Sequence, residues 1–267
     1  MTDRPIIFSG AMVRALLAGR KTQTRRIIKV PGIMGGRYPI LPPEEAIELE
    51  DGEFRRGIFH YASTGALSGP YRLPAAVGDR LYVREAFWIA TRYSYGSTPG
   101  GCEIDAPRLA IRSRDPVHFS ADGNPPNCAN RHYGAEGLRG GKSCAAPDPY
   151  ATWRQYPSIH MPRWASRLTL IVEAVKVERL QDISEADAQA EGIVGPASFA
   201  GPDYAYGVET PCGSNVQYFA ATARDAFAGL WSTLHTAPGE RWEDNPFVVA
   251  LTFSVVRGNI DQIGRGE

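Results

Sequence analysis

Gly19-Arg20-Lys21-Thr22-Gln23-Thr24-Arg25-Arg26 lies between two apolar runs, and the periodicity of the chain changes across it. Before it, Ser9 can cap a helix whose apolar positions Met12, Ala15 and Leu16 recur at i, i+3 and i+4, and Gly19 is a natural stop. After it, Thr22 to Ile28 reads as a strand, with Thr22, Thr24 and Arg26 on one face and Gln23, Arg25 and Ile27 on the other. Lys21 and Thr24 offer an amine base beside a hydroxyl nucleophile, and Arg25 and Arg26 suit an anion or a polar heterocycle. A regular strand from Lys21 onward puts Lys21 and Thr24 on opposite faces, so their convergence requires a turn or bulge after Gly19. The plainer reading is a solvated basic turn.

Outward from this segment, strands are expected in every third of the chain. Pro5 to Phe8 is a short apolar strand. Pro31 to Pro74, rich in Gly and Pro, reads as hairpins and loops. Val77-Gly-Asp-Arg80 is a turn that feeds a strand over Leu81 to Trp88, with Leu81, Val83, Glu85 and Phe87 on one face. A carboxylate among three apolar side chains belongs at a strand end, beside an arginine, or in a functional role, because an unpaired buried charge is costly. Residues 96–157 are poor in apolar side chains and read as an insertion of ordered loops or a lid.

Leu168 to Val177 reads as a strand that continues through Leu180. Ser184-Glu-Ala-Asp187 starts a short helix closed by Gly192. Gly195 to Ser214 reads as a loop, and Tyr218 to Leu234 as a helix with an apolar stripe. Asn245-Pro246 precedes a last strand, Phe247 to Val256. Strands without βαβ alternation point to an α+β fold, a small mixed or closed β-barrel with helices packed at its ends.

Lys+Arg and Asp+Glu each number 29, so the formal net charge is zero. Duplex DNA held by phosphate neutralisation alone calls for a basic protein, so a small substrate or a short local contact is favoured. Locally, Arg14, Arg20, Lys21, Arg25, Arg26 and Lys29 still make a basic patch that can take phosphate. The N-terminal residues show no apolar signal region and no run is long enough to span a bilayer. The four cysteines include no Cys-x-x-Cys pair, and a reduced, cytoplasmic protein without membrane contact is expected. Cys128, His132 and Cys144, with Cys102 or His118 as a fourth, offer metal ligands. Their spacing is not a standard zinc pattern, and neither metal nor cofactor is expected. A Cys128–Cys144 disulfide is a comparable alternative.

The eight-residue segment resembles the Gly-x-Lys-x-x-Glu-x-Arg signature of the ASCH domain family, part of the PUA-like superfamily. Pro5 to Lys29, Gly78 to Glu85, Pro157 to Arg167, Leu180 to Ser184 and Asp244 to Pro246 resemble successive blocks of ASCH-related proteins of phages and prophages. Only the middle insertion lacks a counterpart. The resemblance implies one PUA-like domain over 1–267, with a small β-barrel whose cleft takes RNA or modified bases and with 96–157 inserted in it. This chain has Thr24 where the general signature has Glu. Threonine there is similar to a short bacterial branch, the N4-acetylcytidine amidohydrolases, which use a lysine, that threonine and a later glutamate. The matching positions are Lys21, Thr24 and Glu85.

Amide hydrolysis at an exocyclic base nitrogen needs a nucleophile, a base and a proton for the leaving amine. Thr24 Oγ is weak until a base takes its proton, and Lys21 serves only if it titrates below the ordinary lysine value of ~10.4. Glu85 suits the amine of cytosine, and Arg26 can hold a carbonyl oxygen or orient Glu85. Trp164 can stack a base with His160 and Arg163 flanking it, or be core with His160 in a loop. Three functions follow: an amidohydrolase with Lys21, Thr24 and Glu85 in one cleft, a non-catalytic reader of RNA or modified nucleotides, and a ribonuclease using Lys21 and Arg26.

Overall fold

A computed structural model describes residues 2–28, 58–63, 66–92, 113, 115–125, 143–145, 151–195, 206–209 and 216–264. Strand β1 (Asp3–Ile7) leads into helix α1 (Gly10–Leu17). Ser9 starts the helix: its Oγ accepts the Met12 amide at 3.5 Å and its carbonyl the Val13 amide at 2.9 Å. Gly19 ends it with φ of 70°, which turns the amides of Arg20 and Lys21 back onto the Ala15 carbonyl at 2.9 and 3.2 Å. Lys21 is therefore outside the strand β2 (Gln23–Ile27) that follows.

Strands β3 (Ile58–Ser63) and β4 (Ala66–Arg72) pair as an antiparallel hairpin. The strand expected over Leu81 to Trp88 is two: β5 (Arg80–Arg84) stops before Glu85, and β6 (Phe87–Arg92) begins after Ala86. Glu85 thus sits at a strand end, and the Ala86 carbonyl accepts the amide of Ser120 at 2.9 Å.

The reading of 96–157 as loops is also corrected where it is described. The segment supplies β7 (Val117–Phe119), a 3-10 turn at Ser120–Asp122, β8 (Ser143–Ala145) and β9 (Ala151–Tyr156). These join β6 in an antiparallel four-stranded sheet of order β7-β6-β9-β8. Val117, Phe119 and Tyr156 pack, with Trp164, on buried Phe87, Ile89, Met161 and Ala165. The segment carries too few apolar residues for a core of its own, but enough to complete one built by β6.

The last third opens with β10 (Leu168–Arg179) and helix α2 (Glu185–Ala190), capped by Ser184 Oγ accepting the Asp187 amide at 3.1 Å. The expected helix from Tyr218 begins later. Val216–Ala220 is strand β12, paired with β11 (Tyr206–Glu209) in a stretch read as loop. Helix α3 (Ala223–Leu234) starts where Thr222 Oγ1 accepts the Asp225 amide at 3.1 Å. The last strand, β13 (Phe247–Arg257), pairs antiparallel with β2, setting Ala250 opposite Arg25 and Leu251 opposite Thr24.

Five strands form a sheet of order β1-β5-β10-β13-β2. The fold is α+β, and the strand orders among the described residues are those of open sheets. By internal packing the chain divides into two compact units. The first comprises Met1–Arg4, Ala15–Leu81 and Leu170–Val256, the second Pro5–Arg14, Tyr82–Thr169 and Arg257–Glu267.

Candidate functional site

In the first unit the basic segment is folded inward. Lys21 is 2% exposed and ranks with the largest fully buried side chains among the described residues. Helix α2 explains how an ammonium is accommodated there. The last carbonyls of a helix lack intrahelical partners. Here Ala190 O accepts the Thr22 amide at 2.8 Å, and Glu191 O accepts from Lys21 Nζ at 2.7 Å. The Glu191 carboxylate meets the same amine, with Oε2 at 2.7 Å from Nζ. Gly192, at φ of 101°, closes the helix just beyond. Burial draws the Lys21 amine below the ordinary lysine range; Glu191 opposes that, and Arg26 and Arg25 add to it.

Arg25, also buried, ties this pair to β10 and α2. Its Nε and Nη2 lie 2.8 and 2.7 Å from Glu178 Oε1, and Nη1 lies 3.2 Å from Glu191 Oε1. Asp187 Oδ2 is 3.4 Å from Nη2, and Lys176 Nζ is 2.8 Å from Glu178 Oε2. Lys21, Arg25 and Lys176 thus face Glu178, Asp187 and Glu191, in a group that runs from buried Lys21, Arg25, Glu178 and Glu191 to half-buried Asp187 and exposed Lys176. Arg26 donates from Nη1 to the Arg25 carbonyl at 3.3 Å. Burial pulls the Arg26 guanidinium below its usual value, and Glu191 pulls it back. Thr24 is buried on β2. A neutral Lys21 amine can donate to both Glu191 oxygens and still hold a lone pair, which is what a base for a hydroxyl requires.

In the second unit Glu85 is buried at the end of β5. Arg167 holds it with two parallel bonds, Nε to Oε1 at 2.9 Å and Nη2 to Oε2 at 3.0 Å. The same guanidinium reaches Asp122, with Nη1 to Oδ2 at 2.6 Å and Nη2 to Oδ1 at 2.9 Å. Its carbon stands 4.0 Å from the centre of the Phe119 ring. Burial raises Glu85 above the ordinary glutamate value; Arg167 offsets this in part, and Asp122 adds to the rise.

His160 is exposed on the 3-10 turn Ser158–His160. Arg163 is engaged by Asp261, with Nη2 to Oδ1 at 2.6 Å and Nε to Oδ1 at 2.9 Å, and lies over Tyr82. Trp164 packs on the core of its unit.

Of the residues singled out in the sequence, Lys21, Thr24, Arg25 and Arg26 belong to the first unit. Glu85, His160, Arg163 and Trp164 belong to the second. The carboxylates that meet Lys21 and Arg25 lie outside the residues that sequence reasoning singles out. A signal existed for one of them: Glu178 stands in the same apolar strand run that places β10, the kind of position that drew attention to Glu85. Glu191 gave none beyond its place before a helix-closing glycine.

Among the described residues no helix is long and apolar enough to cross a membrane, and no group of three or more His, Cys, Asp or Glu has a metal-holding arrangement. Cys102, Cys128, His132 and the side chain of Cys144 fall outside them, as does Lys29. No family model, curated protein or solved structure matches the chain.

Proposed function

We propose that this chain is an amidohydrolase that removes an acyl group from the exocyclic N4 of a cytosine nucleoside or a related modified base. The fold in this reading is the PUA-like barrel of the ASCH family. The observation that carries it is the burial of Lys21 against the end of α2. The reaction needs an amine that gives up its proton near neutrality, and burial presses Lys21 in that direction. Thr24, the expected nucleophile, is buried in the same unit.

In the reaction, the neutral Lys21 amine takes the proton of Thr24 Oγ1 as that oxygen attacks the acyl carbonyl. The tetrahedral adduct expels the cytosine amine, which receives the proton back from Lys21. The product is an acyl ester on Thr24 and free cytidine. Water, deprotonated by the same amine, attacks the ester and releases the carboxylic acid and the threonine hydroxyl. Glu85 enters through the resemblance alone, and its substitution is a test in its own right.

A reader of RNA phosphates is the less favoured function. Arg25 and Arg163, two of the cations it would use, are taken up by Glu178, Glu191 and Asp261. Backbone-tracking proteins keep such charges for phosphate.

Purified protein is given N4-acetylcytidine and turnover is followed by ultraviolet absorbance, with Lys21→Ala, Thr24→Ala and Glu85→Gln in parallel. Turnover that disappears in folded Lys21→Ala and Thr24→Ala supports the proposal. No turnover by the wild type on acetyl or larger N4-acyl groups overturns it and makes RNA binding the next measurement.

A further inference from the structure

Lys21 is held twice by one residue. Nζ donates to the backbone carbonyl of Glu191 and to its Oε2, both at 2.7 Å. One acceptor is fixed by the end of α2. The other belongs to a side chain whose second oxygen, Oε1, is 3.2 Å from Arg25 Nη1. Glu191 is itself 4% exposed, so neither of its oxygens trades this contact for bulk water. The amine is therefore held by two acceptors that belong to one residue. Structural ion pairs are commonly made through the carboxylate alone. The added carbonyl makes this pair directional.

We propose that Glu191 is the positioning residue for Lys21, fixing both the direction of the amine and the charge it carries in the amidohydrolase proposed above. The charged groups that act on Lys21 among the described residues include Glu191 at the end of α2, and Arg25 and Arg26 on β2. Glu178 and Lys176 on β10 and Asp187 on α2 act on it through Arg25. Burial and the two arginines favour the neutral amine, and Glu191 is the group that opposes them. Removing the Glu191 charge therefore makes Lys21 lose its proton at lower pH. In the proposed reaction the rate rises as Lys21 becomes neutral, so the acid limb of the kcat profile moves to lower pH with it.

The test is the titration of Lys21 Nζ by nitrogen NMR in the full chain, with its signal assigned by loss in Lys21→Met. Wild type is compared with Glu191→Gln and with Glu178→Gln, which removes a buried carboxylate that does not touch Lys21. The expected result is a midpoint at lower pH in Glu191→Gln and a smaller displacement in Glu178→Gln. The kcat profile of Glu191→Gln moves in the same direction, so that turnover at a fixed pH on the acid limb rises on the order of tenfold for each pH unit by which the midpoint falls. Should Glu191→Gln not fold, Glu191→Asp, which keeps the charge but withdraws it by one methylene, gives a smaller shift of the same sign. An unmoved or raised midpoint, or equal displacement in the two glutamine variants, overturns the role of Glu191. If the NMR midpoint moves as expected while no N4-acyl substrate is turned over, Glu191 controls Lys21 and the amidohydrolase reading alone fails.

Discussion

Arg167 grips Glu85 through two parallel hydrogen bonds, 2.9 and 3.0 Å long, and holds Asp122 with the nitrogens on its outer side. One guanidinium thus neutralises a buried carboxylate and fastens the 3-10 turn at Ser120–Asp122. Removing it leaves Glu85 buried without a counter-charge. We expect Arg167→Ala to lose about 3 kcal/mol, the lower part of the range for breaking a buried pair, since Arg167 is partly exposed. Urea unfolding measures this, and a loss under about 1 kcal/mol would show the pair to behave as a surface ion pair.

Glu85→Gln should be milder, because Arg167 keeps Asp122. The pH dependence is the sharper readout. Burial first, and Asp122 second, hold Glu85 above its unfolded value against the pull of Arg167. An acid raised in the folded state adds stability while protonated, below the unfolded value of ~4.3, and loses it as pH rises through the folded value. Wild-type stability measured against Glu85→Gln therefore falls as pH is raised from about 4. Urea midpoints at a series of pH values check the sign, and a difference that grows with pH contradicts it.

Arg25→Met leaves Glu178, Glu191 and Asp187 without their shared guanidinium, with Lys21, Arg26 and Lys176 as the remaining cations around them. The expected loss is about 3–5 kcal/mol, since two of these carboxylates are nearly water-free. Adding Glu178→Gln to Arg25→Met should recover part of the loss, because it removes one of the stranded charges. A double variant less stable than the single one by the full cost of Glu178→Gln would show the two residues to be uncoupled.

Asp79 anchors the chain start and the turn before β5, with Oδ1 accepting the Thr2 amide at 2.7 Å and Oδ2 the Ala76 amide at 3.1 Å. Burial pushes Asp79 up, but the Thr2 side chain, the Thr2 and Ala76 amides and Arg4 outweigh it and hold the acid below its ordinary value. Its contribution is present above the unfolded value of ~3.9 and is lost as pH falls through the folded value. Asp79→Asn turns an amide group toward one of the two donors, and we expect a loss of about 2 kcal/mol at neutral pH that shrinks in acid. Thermal unfolding at pH 7 and near pH 3 compares the two conditions.

Asn259 draws the 3-10 turn at Arg163–Ala165 together. Its Nδ2 stands 2.8, 3.1 and 2.9 Å from the carbonyls of Arg163, Trp164 and Ser166, and its Oδ1 accepts the Asp261 amide at 2.9 Å. Asn259→Ala strands these groups, and a loss of about 2 kcal/mol is expected in urea unfolding. Asn259→Asp, which keeps the acceptor and removes the donors, should lose at least as much.

Some parts of this protein are decided by physics that acts over a few neighbouring residues. Ser9, Gly19, Ser184 and Gly192 mark helix ends because caps and left-handed turns act within a few residues. The apolar runs at Leu168 and Phe247 make long strands because their pattern fits a buried sheet. The same runs point to the α+β class, and the cost of an unpaired buried charge singles out Glu85. Local pattern could not end β5 at Arg84, where the break accompanies contacts with Met161, Arg167 and the Ser120 turn. Nor could it show that Val117, Phe119 and Tyr156 complete a core begun by Phe87, or that Val216–Ala220 pairs with β11 instead of joining a helix. The pairing of Lys21 with Glu191 spans 170 residues. Only the tertiary structure brings such groups together, because a buried charge selects its partner by position in space and not along the chain.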